Sequence, residues 1–445
     1  MVRSAFYICS IGVLFSVWFV SATAVAAPRK LPPAVRIILI KVNAMIQKKD
    51  YSRAVETLLA FQAKGGPPPA PGRSDGKGYH HPEIYYSLGN CYLYQDQYVP
   101  AITAYGDSLA RDPDHTFAWL NLAKASYEVA DYAQAGRCFG RGYETAQEKK
   151  SVHIYYSAVA YFMAGDHRQS IATFDRLLAN HPGALKPQWK ENLVHALMAA
   201  DLQRRALPYI RELAGIYTGD KQIQWQEILL YQYVKLDMRV EALAYARTLT
   251  RRAPAMAKWW KALTHIQLND GRYKEALAAL TIYSFLKPLT LDEKKLLADL
   301  NLQLGIPVKA APVYEDYLRE RTDKKLLQQL ALAYSQLDRP ESALKRIDTF
   351  QINPGDVDLM LLKGQLHYLL KQYDKAAAAY RKAAQIKGKH VGRAWLMAGY
   401  AAWQMDDIAA SRKAFAKARA HDRQKKAAAS ALRQLARLPV KGSQP

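Results

Sequence analysis

A small residue returns every 33 to 36 positions along nearly the whole of this 445-residue chain, at Ala54, Ala101, Ala135, Ser170, Ala206, Ala242, Ala276, Ala310, Ala343, Ala376 and Ser411, with only the first step longer. A period near 34 residues is the mark of helical hairpins that cannot bury their own apolar side and do so by stacking. Two close-packed helices meet where side chains are small, and bulky residues fill the space beside the contact. The recurrence therefore predicts eleven hairpins. Gly165, Gly271 and Gly305 fall where first helices should end in a left-handed turn, and Pro113, Pro182, Pro254 and Pro288 fall where second helices should stop. Half of the residues are apolar, enough for a large interior, and the length exceeds what one compact core of about 250–300 residues holds.

Around these anchors the chain resembles the tetratricopeptide repeat (TPR) family, whose pattern runs Trp, Leu-Gly, Tyr, Ala, a bulky residue and Pro. The second repeat carries it as Tyr85, Leu88-Gly89, Tyr92, Ala101, Tyr105 and Pro113, the seventh as Trp260, Leu263, Gly271, Tyr273, Ala276, Leu280 and Pro288. The last shows Trp395, Gly399, Ser411, Phe415 and Ala418. The first repeat departs from the pattern, with Lys41-Val42 in place of Leu-Gly. The resemblance implies an all-α, right-handed TPR solenoid of about eleven hairpins closed by a C-terminal capping helix.

The organisation read from the sequence begins with a signal peptide over residues 1–26, in which Arg3 precedes an apolar stretch from Ile8 to Val20 and small residues end at Ala26. That stretch is shorter than the roughly 20 residues a spanning helix needs, so cleavage and a periplasmic location are expected, with an uncleaved inner-membrane anchor as the alternative. A degenerate repeat over 27–64 follows, then a Pro/Gly-rich insert over 65–78 read as a loop, the main array over 79–422, and a capping helix with its tail over 423–445. Cys91 and Cys138 read as two separate buried thiols.

Nothing in the sequence carries catalytic chemistry. It holds no phosphate-cradling glycine loop, no nucleophile elbow and no His-Glu-x-x-His helix, so no enzyme activity, cofactor or metal is expected. His80-His81 reads as a solvated pair, because one metal needs more ligands than these two. The net charge of +24 would suggest nucleic acid in the cytosol. On an exported chain it suits an anionic membrane surface, acidic polysaccharide or acidic protein segments, and nucleic acid is not expected.

The expected working surface is the concave face, lined by first helices. Register places Tyr86, Asn90, Tyr94, Asn121, Tyr127, Tyr155 and Tyr156 on one trough, where tyrosine offers apolar area with a polar tip and asparagine can pair with a peptide backbone. Packing between repeats is the competing role for each. Asn90 and Asn121 match the asparagine places of the TPR carboxylate clamp, but Tyr86, Val152 and Tyr156 stand in its cation places, which points to an apolar, extended ligand. Lys258, Lys261 and His265 form a second group suited to an acidic segment.

A narrower resemblance lies in Lys258-Trp259-Trp260 through Leu263, Tyr273-Lys274-Glu275-Ala276-Leu277, Pro288-Leu289-Thr290 and Leu304-Gly305-Ile306-Pro307, closing with Lys309-Ala310-Ala311. This stretch looks like the exported TPR proteins encoded beside TonB, ExbB and ExbD. It implies protein partners in the TonB complex and an accessory part in TonB-dependent transport. The alternative is a scaffold for exopolysaccharide export or envelope assembly.

Overall fold

The computed structural model describes residues 31–67, 76–320, 323–349 and 356–437. The expected signal peptide over residues 1–26, positions 68–75 of the insert and the tail beyond 437 lie outside them. Among the described residues the chain is all-α, with 23 helices. They follow one another as eleven pairs and a closing helix, and the chain divides into two compact units, Met1–Gln232 and Tyr233–Pro445.

In the first unit the pairs are α1 (Pro33–Gln47) with α2 (Tyr51–Ala63), α3 (Pro82–Leu93) with α4 (Tyr98–Arg111), α5 (Thr116–Glu128) with α6 (Tyr132–Thr145), α7 (Ser151–Met163) with α8 (His167–Asn180), and α9 (Pro187–Ala199) with α10 (Gln203–Ile216). The boundary between units falls within α11 (Gly219–Lys235). The second unit holds α12 (Arg239–Arg252), α13 (Ala257–Asn269) with α14 (Tyr273–Leu286), α15 (Leu291–Gln303) with α16 (Pro307–Glu320), α17 (Lys324–Gln336) with α18 (Pro340–Thr349), α19 (Val357–Leu369) with α20 (Tyr373–Gln385), α21 (Val391–Gln404) with α22 (Ile408–Arg419), and α23 (Asp422–Ala436).

The eleven recurring small residues are all buried, none more than 2% exposed. Where serine replaces alanine, its hydroxyl is satisfied across the hairpin: Ser170 donates to the Ala158 carbonyl at 2.8 Å and Ser411 to the Gly399 carbonyl at 3.0 Å. The substitution thus keeps the close approach without orphaning a polar atom.

Every pair turns in the same way. One residue per turn adopts the left-handed conformation, and the next N–H donates to the carbonyl five positions back, as from Gln97 to Tyr92, Asp131 to Ser126 and Asp407 to Ala402. This is the Schellman closure, which satisfies carbonyls that a helix end leaves open. Gly165, Gly271 and Gly305 hold the position as the sequence predicts, with φ between 70° and 75°. In the other eight turns it falls to Lys49, Asp96, Ala130, Asp201, Asp237, Asp338, Lys371 and Asp406.

The predicted stops are also in place. Pro113, Pro182, Pro254 and Pro288 each stand two residues beyond the end of a second helix. Indole groups use the carbonyls there: Trp119 donates to Pro113 at 2.7 Å and Trp260 to Pro254 at 2.8 Å, tying each first helix to the end of the preceding hairpin. At the far end α23 covers the last pair, burying Ala428, Ala431 and Leu435 in a cluster with Phe415 and Ala418, while Lys425, Lys426, Arg433 and Arg437 face solvent. That is the arrangement a solenoid end requires.

The reading of His80-His81 as a solvated pair is corrected. His80 is 9% exposed, with Nδ1 at 2.9 Å from the Tyr85 hydroxyl and Nε2 at 3.0 Å from the Gly66 carbonyl, so it pins one end of the insert to α3. His81 caps that helix by accepting the Glu83 N–H. Cys91 and Cys138 are buried, free thiols in different core clusters. Burial pushes each up to about 12, so both stay protonated and inert. No helix among the described residues is long and apolar enough to cross a membrane.

Candidate functional site

The trough residues of the first unit come from α3, α5 and α7, but they do not form one open row. Four polar groups close on each other. Asn90 Oδ1 accepts from the Tyr105 hydroxyl and from Asn121 Nδ2, both at 2.8 Å, and Asn121 Nδ2 also lies 3.4 Å from the Tyr86 hydroxyl. The two asparagines therefore join the second hairpin to the third as well as facing the surface. Tyr86 packs against His115 at 4.6 Å between ring centres, and His115 Nε2 lies 3.3 Å from the Glu83 carboxylate.

The same pairing recurs two hairpins later. Tyr155 is buried, accepts from Asn192 Nδ2 at 2.7 Å and stacks on Trp189 at 4.1 Å with ring planes only 8° apart. Asn192 and Asn121 hold equivalent places in their repeats, as do Tyr155 and Tyr86. A Tyr–Asn bond between successive first helices is thus a repeated device. Trp189 and Asn192 were missed as site residues. The signal that could have found them is the matching of one Tyr/Asn pair against the next at the repeat period.

Three tyrosines remain more open. Tyr94 is 38% exposed and stacks on Tyr51 at 5.3 Å, Tyr127 meets Tyr132 edge-on at 5.0 Å, and Tyr156 lies 5.5 Å from both Phe139 and Tyr155. Tyr94 and Tyr127 sit at the turn ends of their hairpins. Burial pushes Tyr86 and Tyr155 up to about 12 and raises Tyr94, Tyr127 and Tyr156, so all five are neutral hydroxyls at physiological pH. The chemistry on offer is aromatic area with neutral hydrogen-bonding tips.

In the second unit Lys258, Lys261 and His265 share one face of α13, at i, i+3 and i+7. Lys261 Nζ is 2.7 Å from Glu293 Oε1, and Lys258 Nζ lies 5.0 Å from the centre of the Trp259 ring. Lys261 is thus engaged by a carboxylate of its own chain. Burial would raise Glu293, but Lys261 and the Thr290 amide and hydroxyl outweigh it and hold the carboxyl down at about 2. Partial desolvation, then the Lys261 charge, lowers His265. Among the described residues no three His, Cys, Asp or Glu side chains come together to hold a metal ion.

Tetratricopeptide repeat models match residues 82–115, 154–184, 329–390 and 392–418. The chain carries tetratricopeptide repeats. The matched repeats are the second, the fourth and the ninth to eleventh. None of the curated proteins matches the sequence. Solved structures similar to it include Naa15/Naa10 bound to HypK-THB, with 14% identity, 90% of this chain and 78% of that chain covered, and a TM-score of 0.39. A tetratricopeptide repeat protein from Parabacteroides merdae has 13% identity, covers 67% of this chain and 98% of that one, and scores 0.32. Yeast Tom70 has 13% identity, with 91% and 95% covered and a score of 0.30. Tetratricopeptide repeats suit a protein-interaction scaffold, since stacking extends surface without creating an enclosed reaction centre.

Proposed function

We propose that this chain is a non-catalytic periplasmic scaffold that holds protein or peptide partners, and that it serves TonB-dependent energy transduction. The observation that carries the binding reading is the first-helix face of the first unit. There Tyr–Asn bonds between successive helices fix the polar tips while Tyr94, Tyr127 and Tyr156 keep part of their rings open. Such a surface is rigid before binding and loses little side-chain entropy on contact. An extended apolar segment fits it, because each ring adds contact area and the contacts sum along the array.

Export is supported by the N-terminal pattern of Arg3, the Ile8–Val20 apolar stretch and the small residues before Ala27. The TonB reading rests on the resemblance carried by the stretch from Lys258 to Ala311. Exopolysaccharide export is the second reading, favoured by the outward Lys425, Lys426, Arg433 and Arg437 of α23, which suit an anionic polymer. Affinity purification from crosslinked intact cells decides between them. Recovery of TonB-complex proteins from the periplasmic fraction supports the first; recovery of polysaccharide-export components without any TonB-complex protein replaces it with the second.

A further inference from the structure

The two terminal helices of the array expose opposite chemistry. α23 covers the last hairpin and turns lysines and arginines outward, whereas α1 has no hairpin before it among the described residues and turns isoleucines outward. Ile37 is 69% exposed and Ile40 65%. With Pro33 and Ala44, which are also exposed, they form one stripe at i, i+4, i+7 and i+11 of a 15-residue helix.

The repeat register shows what this face does in later hairpins. Counted back from the left-handed turn residues Lys49, Asp96 and Ala130, Ile37 corresponds to Ile84 and Ala118, and Ala44 to Cys91 and Ala125. Those four are buried against the preceding hairpin: Ile84 and Cys91 in the cluster of Val42, Leu58 and Phe61, Ala118 and Ala125 in the cluster of Leu93, Ala101 and Tyr105. Ile40 corresponds to Asn121 and, counted from Asp201, to Asn192, the residues that bond back to Tyr86 and Tyr155. Lys41 stands where the next two repeats hold Leu88 and Leu122. In α1 the surface that later repeats bury on a predecessor is therefore open, and its asparagine place has become isoleucine. A solenoid end that met only water would be polar there.

The charges beside the stripe select its occupant. Arg36 and Lys41 are exposed on its two flanks, Lys48 and Lys49 follow at its end, and α1 carries no acidic residue. Upstream the chain adds Arg29 and Lys30, and residues 1–30 hold no Asp or Glu. Neither that segment nor a second copy of α1 could cover the stripe without setting cation against cation. A bilayer containing anionic lipid meets both needs, with phosphates for the cations and the acyl boundary for the isoleucines. The leader expected over residues 1–26 also brings this end of the chain to a membrane, whether it is then cut or kept.

We infer that α1 docks the N-terminal end of the array on an anionic membrane surface, with Ile37 and Ile40 at the acyl boundary and Arg36, Lys41, Lys48 and Lys49 among the lipid phosphates. The inference goes beyond the scaffold reading and does not depend on what the trough holds.

Vesicle flotation tests it, using the chain from Ala27 onward, the form expected after cleavage, which keeps every described residue. Vesicles of phosphatidylglycerol and phosphatidylethanolamine in equal parts are compared with pure phosphatidylcholine. The anionic vesicles should bind at least about tenfold more tightly, since each cation near such a surface contributes about fivefold. Ile37→Ser with Ile40→Asn should weaken that binding about tenfold, and Arg36→Gln with Lys41→Gln by a similar factor. Neither pair should lower the melting temperature, because all four side chains are exposed. Lys425→Gln with Lys426→Gln on α23 should leave the binding unchanged. An environment-sensitive dye on Ile40→Cys, where Cys91 and Cys138 are too buried to compete for label, should shift to shorter wavelength on the anionic vesicles. Undiminished binding by the isoleucine variant, loss of binding in the α23 variant alone, or a dye that keeps its aqueous emission on vesicles would overturn the inference. So would a dye shift that needs no lipid: one that grows with the chain's own concentration gives the face to a second copy, and one that appears only in periplasmic extract gives it to an acidic protein.

Discussion

Gly89 and Tyr105 stand so close that a Cβ on the glycine would lie 2.6 Å from the tyrosine ring. Gly364 with Tyr380 and Gly399 with Phe415 repeat the relationship at 2.7 and 2.6 Å. At the same register the third and fourth hairpins hold Ala123 with Phe139 and Ala158 with Phe174, while the fifth holds Val194 with Ile210, all buried. Where the second helix carries Tyr or Phe its counterpart is Gly or Ala, and the smaller Ile210 admits Val194, as close packing demands.

Gly89→Ala should therefore destabilise the chain by about 1–3 kcal/mol through overpacking. Adding Tyr105→Leu should restore part of that loss, because the smaller side chain makes room for the methyl group. A double-mutant cycle by chemical denaturation checks the pair, and strict additivity would deny that the two positions share one space.

The turn residues give a test free of packing. A side chain on Gly165 would meet nothing within 4 Å, so Gly165→Ala should lose only the left-handed preference, about 1 kcal/mol. Ala130 occupies the same conformation with φ of 60°, and Ala130→Gly should gain a comparable amount. Thermal melts of the two variants should move in opposite directions.

The Tyr–Asn bonds are expected to hold neighbouring repeats together. Asn192→Ala leaves the buried Tyr155 hydroxyl without its 2.7 Å partner and should cost about 1–3 kcal/mol. Hydrogen exchange should quicken in α7 and α9 before it does so in α3. Uniform exchange with unchanged stability would show that the bond has no structural weight.

Glu293 sets a pH dependence with a definite sign. Its carboxyl is held at about 2, below the ordinary 4.5, so the unfolded chain binds the proton more readily than the folded one. The stabilisation from the Lys261 pair is complete above about pH 4.5 and is lost as pH falls toward 2. Glu293→Gln should lower the melting temperature at neutral pH and should flatten its decline over that acid range. An identical acid profile in both proteins would refute the pairing.

How far the sequence disclosed this structure depends on whether packing or partner choice decided the feature. The eleven small residues, the three turn glycines and the four proline stops were legible because each has one physical role that repeats at a fixed period. The eight other left-handed turns were not, since aspartate, lysine and alanine have many other uses and only the backbone bond reveals the conformation. His80 was misread because its partners, Gly66 and Tyr85, come together only when the insert folds back on α3. The trough was legible as a set of aromatic positions, but nothing in the sequence disclosed that Asn90 and Asn121 bond to each other.

The central claim is that first-helix aromatics of the first unit hold a protein partner, and site-specific photocrosslinking in intact cells tests it most directly. A photoreactive phenylalanine analogue placed in turn at Tyr94, Tyr127 and Tyr156, and at exposed Val99 on the second helix α4 as control, reports which face is occupied. The account requires a discrete adduct with a TonB-complex protein from the three trough positions and none from Val99. Adducts from Val99 alone, or no adduct from any trough position, would contradict it.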